Sequence, residues 1–308
     1  MTIATDDRGG SLGPAAPPVE TPFRRFLSEF LESRISALAL GVLLIIVVFA
    51  LLAPWITPQN PYDLGQVDVL DSRQAPGGQS MAGYTFWLGS DGAGRDLLSA
   101  ILYGLRISLA VGVTSGFLAM MVGAAIGLIA AYAGGRIESL IMRIVDLQLS
   151  FPSVLIALML VALFGKGIDK IMLALVIVQW AYYARTVRGS ALVERKKEYV
   201  EAARCLGLGN ARILFRHILP NCLAPLIVVA TVQTAHAIAL EATLSFLGVG
   251  LPQTEPSLGV LIANGHEYML SGQYWISFFP GVALLLTIVS INLVGDQLRD
   301  VLNPRLKR

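Results

Sequence analysis

From Ile35 to Trp55 the chain runs for 21 residues without an acidic, basic or imidazole side chain. At 1.5 Å per residue such a helix is about 30 Å long, the depth of the hydrocarbon core of a bilayer. Lipid offers no partner to an unpaired backbone N–H or C=O, so a segment of this kind is expected to cross as a helix. Composition extends the point to the whole chain. Of 308 residues, 55% are hydrophobic and 14% charged, against roughly a quarter charged in soluble domains.

Five further segments have the length or composition of a span. They are about Ile107–Gly135, which is rich in Gly and Ala; Leu140–Phe164, with Pro152 inside it; and Ile171–Ala184, the shortest, bounded by Lys170 and Arg185. Cys222–Leu247, holding His236 and Glu241, and Trp275–Val294 complete the set. No ten-residue alternation points to a barrel. The expected fold is an all-α polytopic membrane protein with six transmembrane helices.

Basic residues orient it. With the N-terminus inside, Arg73, Arg95, Arg106, Lys166 and Lys170 lie outside and the other 18 of the 23 Lys and Arg lie inside. Lys and Arg are retained on the cytoplasmic side, so both termini are expected to be cytoplasmic. The first apolar run lies too far from the start, and is too long, for a cleaved signal core. Residues 1–22 read as a disordered cytoplasmic tail. Residues 23–105 read as an interfacial helix (about Phe23–Arg34), the first span and a large outer loop. The core is expected at 106–296 and a cytoplasmic tail at 297–308. Cys205 and Cys222 make neither a disulfide framework nor a metal cluster and read as inert thiols.

Two outer loops stand out. The first ends in Gly89-Ser90-Asp91-Gly92-Ala93-Gly94-Arg95-Asp96, which lacks the Lys-Ser/Thr of a phosphate loop. It reads as a tight turn opening an amphipathic helix at about Asp96–Gly104. The second, Gly248–Tyr274, has no Lys or Arg. Either loop could dock a soluble delivery protein.

Between about residues 186 and 220 the pattern turns soluble-helical. In Glu198–Leu206, residues Tyr199, Ala202, Ala203 and Leu206 fall on one side at helical spacing. Gly207 suits a left-handed position after the helix. Asn210 is placed to cap a second helix, Ala211–Leu219, which Pro220 would end. The small Ala202 and Ala203 would let another surface approach the backbone. Glu201 would meet a partner's Arg or brace the loop through Arg204. Read from these residues alone, the segment could equally be an amphipathic connector on the membrane surface.

The run Glu201-Ala202-Ala203, then Gly207 after three intervening residues, then Leu219-Pro220, resembles the coupling loop of ABC importer permeases. His217, where that family usually has an apolar residue, is a departure. Leu88-Gly89-Ser90-Asp91, Ile141-Met142-Arg143-Ile144-Val145-Asp146, Leu244-Ser245-Phe246-Leu247-Gly248 and Asn292-Leu293-Val294-Gly295-Asp296 resemble the C permease of dipeptide and oligopeptide importers. The resemblance covers nearly the whole chain. It implies the type I ABC importer fold in a bacterial inner membrane. It also implies a homologous permease partner forming a heterodimer, two ATP-binding subunits and an extracytoplasmic substrate-binding protein, with no nucleic acid involved. The chain would be non-catalytic and bind no cofactor, with ATP and Mg on the partner subunits. Tyr199, Glu201, Ala202, Ala203, Gly207, Leu219 and Pro220 would then form the ATPase-coupling loop. The family branch also includes nickel and glutathione importers, so the solute stays open.

Charges near the membrane yield further candidates. Arg143 and Asp146, at i and i+3, can pair on one helix face. Glu241 inside a span calls for a gate or packing role, a solute contact, or solvation at the boundary, since a mid-membrane carboxylate costs about 2.5–3.5 kcal/mol. His236 and Gln179 join it as candidate gate or path residues. A secondary transporter would show mid-membrane ion-coupling groups and an inverted repeat, and neither is evident. A membrane hydrolase would need a metal or nucleophile motif, and none is found.

Overall fold

Four helices of the computed structural model are each long and apolar enough to cross a bilayer: Arg34–Ile56, Leu97–Ala133, Asn210–Phe246 and Trp275–Leu302. The structure describes residues 21–255 and 257–302. Most of the tail expected at 1–22, and the last six residues of the one expected at 297–308, lie outside the described residues.

Helix α1 (Pro22–Glu32) leads into α2 (Arg34–Ile56), the charge-free run, which Ser33 caps through Ser36 N–H. Helix α3 (Leu97–Ala133) starts where the Asp96 carboxylate accepts Ser99 N–H at 2.8 Å. It is 37 residues long, about 55 Å, so it outreaches the membrane. The separate amphipathic helix expected at Asp96–Gly104 is therefore the opening of α3.

The third expected span is broken. Helices α4 (Gly135–Ser150) and α5 (Ser153–Phe164) meet at an angle of 92°. Phe151 is extended, as the residue before a proline prefers, and Pro152 supplies no N–H to continue the ladder. Together the two helices supply a fifth span if the pair is counted as one.

Helix α6 (Ile168–Glu194) has the length to span but falls outside the four, because Asp169, Lys170, Arg185, Arg188 and Glu194 dilute its apolarity. It is set against α3 instead. Gly123 and Gly127 of α3 face Trp180 O, the Tyr183 side chain and Ala184, with no room for a Cβ. Ala174, Ala181, Ala184 and Ala191 are buried. Small residues on both helices bring the backbones together, the way helices associate where apolar burial gives no preference.

Helix α7 (Glu198–Cys205) is followed by α8 (Asn210–Arg212), a π-helical segment (Ile213–Ile218) and α9 (Leu219–Phe246). The last three form one continuous helix, correcting two expectations. Gly209, not Asn210, occupies the capping position, and the Asn210 side chain accepts from the Tyr132 hydroxyl. Pro220 does not end the helix. It falls in the first turn of α9, directly after the wider π turn, where a missing N–H is tolerated. Helices α10 (Leu258–His266) and α11 (Trp275–Leu302) complete the bundle. The last turns of α11 occupy 297–302, where a tail was expected.

The bundle has two distinct ends. At one, residues 57–96 carry an antiparallel ribbon of β1 (Gly78–Gln79) and β2 (Thr85–Phe86). There Arg95 pairs with Asp91 at 2.8 Å, both buried, and donates to Gln253 O at 3.2 Å. Gly94 has φ +88° and a Cβ on it would overlap Asp68 O, so the expected tight turn is present and packed shut. At the other end Arg195 donates to Ala131 O, placing α7 beside the C-terminus of α3. Gln297 donates to Glu29 O at 3.2 Å, which puts α1 and the end of α11 at that same end.

Candidate functional site

Helix α7 buries Val200 and Ala203 against Ile213, Ile218 and Cys222. Glu201, Ala202 and Leu206 are exposed, Leu206 to 79%. The side expected to hold Tyr199, Ala202, Ala203 and Leu206 together is split, and Ala203, expected open to a partner, is closed off. Ala203 points in, while Ala202 and Leu206 point out. Both sets fit helical spacing, Val200 with Ala203 at three residues and Ala202 with Leu206 at four, and the docked neighbours select between them.

Gly207 takes φ +71° with no atom within 4 Å of an added Cβ, and Leu208 N–H reaches back to Ala203 O at 3.1 Å. This is the left-handed helix end that the glycine announced. The Glu201 side chain has no hydrogen bond or ion pair among the described residues, while its backbone N–H donates to Lys197 O at 3.3 Å. Arg204 lies over the Tyr132 ring, 5.9 Å from its centroid, in place of the expected brace to Glu201. Leu219 is half-buried and Pro220 exposed, 12 residues and more beyond Gly207 in the chain.

Tyr199 leaves α7 sideways. Its hydroxyl donates to Glu194 Oε2 at 2.7 Å, and Asn221 Nδ2 donates to the same hydroxyl at 3.2 Å. Lys197 meets the other Glu194 oxygen at 2.6 Å. Asn221 also donates to His217 O at 2.7 Å. Burial first, and then the Glu194 carboxylate, push the Tyr199 phenol up to about 12, so it stays a donor.

The expected pairing of Arg143 with Asp146 is replaced. Asp146 is held by Arg185, and Glu138 by Arg188 at 2.5 Å. Two ion pairs thus strap α4 to α6. Arg143 is exposed with no partner among the described residues. A partner on a packed neighbouring helix outcompetes one on the same helix because its geometry does not depend on stretching along the axis.

Between α4, α6, α9 and α11, toward the α7 end, lies a cavity of about 1060 Å³. Leu149, Tyr182, Val228 and Val232 form apolar wall, and Gln233 is among its polar lining. Arg185, Glu194, Asp296 and Arg299 bring both signs of charge to it, and Asn221 joins them.

None of the three expected path residues lines this cavity. Gln179 is buried and donates to Gln233 O at 3.1 Å, so it stands behind the wall. His236 meets Ser153 Oγ at 3.3 Å. Glu241 is fully buried, accepting from Ser108 at 3.0 Å and Ser245 at 2.8 Å, an arrangement that fits the packing alternative and not solvation at the boundary. Asp296, Arg299 and Asn221 were missed as lining residues. The cluster of charge near the end of the last span was the signal that could have found the first two.

Residues 123–308 match the family described as binding-protein-dependent transport system inner membrane component. Residues 21–76 match the N-terminal transmembrane domain of oligopeptide transport permease C. The chain is 41% identical over 294 residues to the dipeptide transport system permease protein DppC of Escherichia coli K12, covering 96% of this chain and 97% of that one. It is 38% identical to the di/tripeptide permease DppC of Pseudomonas aeruginosa, covering 93% of each. It is 37% identical to the glutathione transport system permease protein GsiD of Pectobacterium atrosepticum, covering 94% and 93%. Among solved structures, an inward-facing MetNI methionine ABC transporter chain matches with a TM-score of 0.56 at 20% identity, covering 67% of this chain and 98% of that one. By sequence family and by fold, then, the chain belongs to the binding-protein-dependent transport system inner membrane components and is a permease subunit of an ABC importer.

Proposed function

We propose that this chain forms half of the path by which an inner-membrane importer takes in di- and oligopeptides. Motion would be supplied by two separate ATPase subunits docked on α7. The chain would cross the membrane six times, counting α4–α5 as one span and α6 as another, with both ends in the cytoplasm. A homologous permease would complete the path, and a soluble binding protein would deliver solute to the end carrying residues 57–96.

The observation that carries this reading is the two-sided character of α7. Val200 and Ala203 anchor it, while Glu201, Ala202 and Leu206 stand free beside a left-handed Gly207. An exposed leucine and a carboxylate without a partner, both outside the buried face of α7, suit a docking partner better than water. The cavity toward the α7 end of the bundle has apolar walls with charge of both signs, a lining compatible with zwitterions carrying varied side chains. Glutathione, itself a peptide, is the second reading, favoured by the likeness to GsiD.

Reconstitution with the partner permease, ATPases and binding protein in liposomes tests it. ATP-driven uptake of dipeptides and oligopeptides is expected, and uptake of glutathione or Ni²⁺ in their place would move the solute assignment. The Gly207→Asp complex should bind the delivery protein normally yet fail to take up peptide. Normal uptake by that variant would end the coupling assignment.

A further inference from the structure

We infer that the Tyr199 hydroxyl is the joint through which displacement of α7 reaches the cavity, holding Glu194 on α6 and Asn221 on α9 at once. The inference rests on α7 being the helix that the ATPase moves.

Besides the Arg204–Tyr132 ring contact, α7 touches the bundle in two ways among the described residues. Val200 and Ala203 pack against Ile213, Ile218 and Cys222. Those apolar contacts are non-directional, and two of them go to the π-helical turn, the kind of irregularity at which long helices kink. They hold α7 near the bundle without dictating how the bundle follows it. The second contact is directional. Tyr199 is the α7 side chain that hydrogen-bonds to both α6 and α9, to Glu194 Oε2 at 2.7 Å and with Asn221 Nδ2 at 3.2 Å. The bond to a carboxylate is of the charge-assisted, stronger class.

What makes this arrangement more than a brace is where its partners sit. Glu194 and Asn221 both line the cavity, on opposite helices of its wall. Asn221 also holds His217 O, within the π-helical turn, so a pull on Tyr199 acts at the turn where that helix leaves α geometry. The raised affinity of the phenol for its proton keeps it a donor across the working range of pH. Tyr199 is thus a positioning residue: it touches no solute, and acts by moving the two residues that border the solute's exit.

Three variants of the full complex in liposomes test the inference, each read by peptide taken up per ATP hydrolysed, by basal ATPase rate, and by recovery of ATPase subunits on purification. Tyr199→Phe removes the hydroxyl alone. It should assemble while uptake per ATP falls about tenfold, as loss of a hydrogen bond to a charged group would give. Glu194→Gln keeps a neutral acceptor for the phenol while giving up the Lys197 ion pair and the charge assistance, so its ratio should fall less than that of Tyr199→Phe, to about a third of wild type. Asn221→Ala should fall between them. A wild-type ratio in Tyr199→Phe overturns the inference. So does a loss in Glu194→Gln as deep as in Tyr199→Phe, which would assign the effect to the ion pair. Failure of Tyr199→Phe to assemble would make the residue structural and overturns it too. If the wild-type complex itself shows no ATP-driven uptake, it is the proposed function that fails.

Discussion

Ser108 donates its hydroxyl hydrogen to Glu241 Oε2 at 3.0 Å, joining α3 to α9 where both side chains are closed to solvent. With Ser245 on the other oxygen at 2.8 Å, the carboxyl group has a partner at each end. A polar group inside a membrane bundle is tolerated on those terms.

Removing one partner should therefore be felt as stability. Ser108→Ala is expected to cost about 1–3 kcal/mol, the range for leaving a buried acceptor unpaired. The unfolding midpoint of the detergent-purified complex should fall by a few degrees while uptake per ATP stays normal. Glu241→Gln, which can both accept from and donate to the flanking hydroxyls, should be close to neutral.

The glycines of α3 divide sharply by surroundings. At Gly123 and Gly127 an added Cβ would overlap Trp180 O and Ala184 O, backbone atoms that cannot swing away. Gly127→Val should prevent recovery of folded complex, and Gly127→Ala should cost about 1–3 kcal/mol as overpacking does. At Gly41 nothing lies within 4 Å, so Gly41→Ala should be neutral or slightly stabilising for α2. Yield and thermal midpoint of the purified variants check the contrast.

Asp91 and Arg95 form a buried pair, with side chains 2% and 8% exposed. Asp91→Asn would leave the guanidinium buried without its counter-charge, at a cost of about 3–5 kcal/mol. The loss should appear as protease cleavage within residues 57–96, with α7 and ATPase recovery unaffected, because that loop lies at the opposite end of the bundle.

The Arg185–Asp146 pair is half-exposed on both sides, 51% and 65%. Asp146→Asn should cost no more than about 1 kcal/mol. Arg143→Ala, with no partner to lose, should change the midpoint by less still. A larger effect of Arg143→Ala than of Asp146→Asn would restore the same-helix pairing first expected from spacing.

Much of the bundle was legible in residue order because lipid imposes local rules. The apolar run ending at Trp55 had to be a helix. Pro152 announced the break that became a 92° bend, and Gly207 announced a left-handed end. What misled was each case where two local solutions had equal merit. Ala202 and Ala203 both satisfied helical spacing, and only the position of Ile213 and Cys222 turned Ala203 inward. Asp146 could reach Arg143, yet α6 delivered Arg185 to it. Pro220 could end a helix or be carried within one, and the π turn before it lies in a helix that continues past it.

Residue order by itself thus determined that this chain lives in a membrane as helices, and which segment was to be held apart from lipid. Those outcomes follow from hydrophobicity and backbone hydrogen bonding, which act over one or two turns. Tertiary structure alone decided that Tyr199, Glu194 and Asn221 meet, that Glu241 is sealed between serines, and that Asp296 and Arg299 face a cavity. Each of these depends on where a distant helix comes to rest, and close packing of α3 on α6 fixes that position through contacts scattered along the chain.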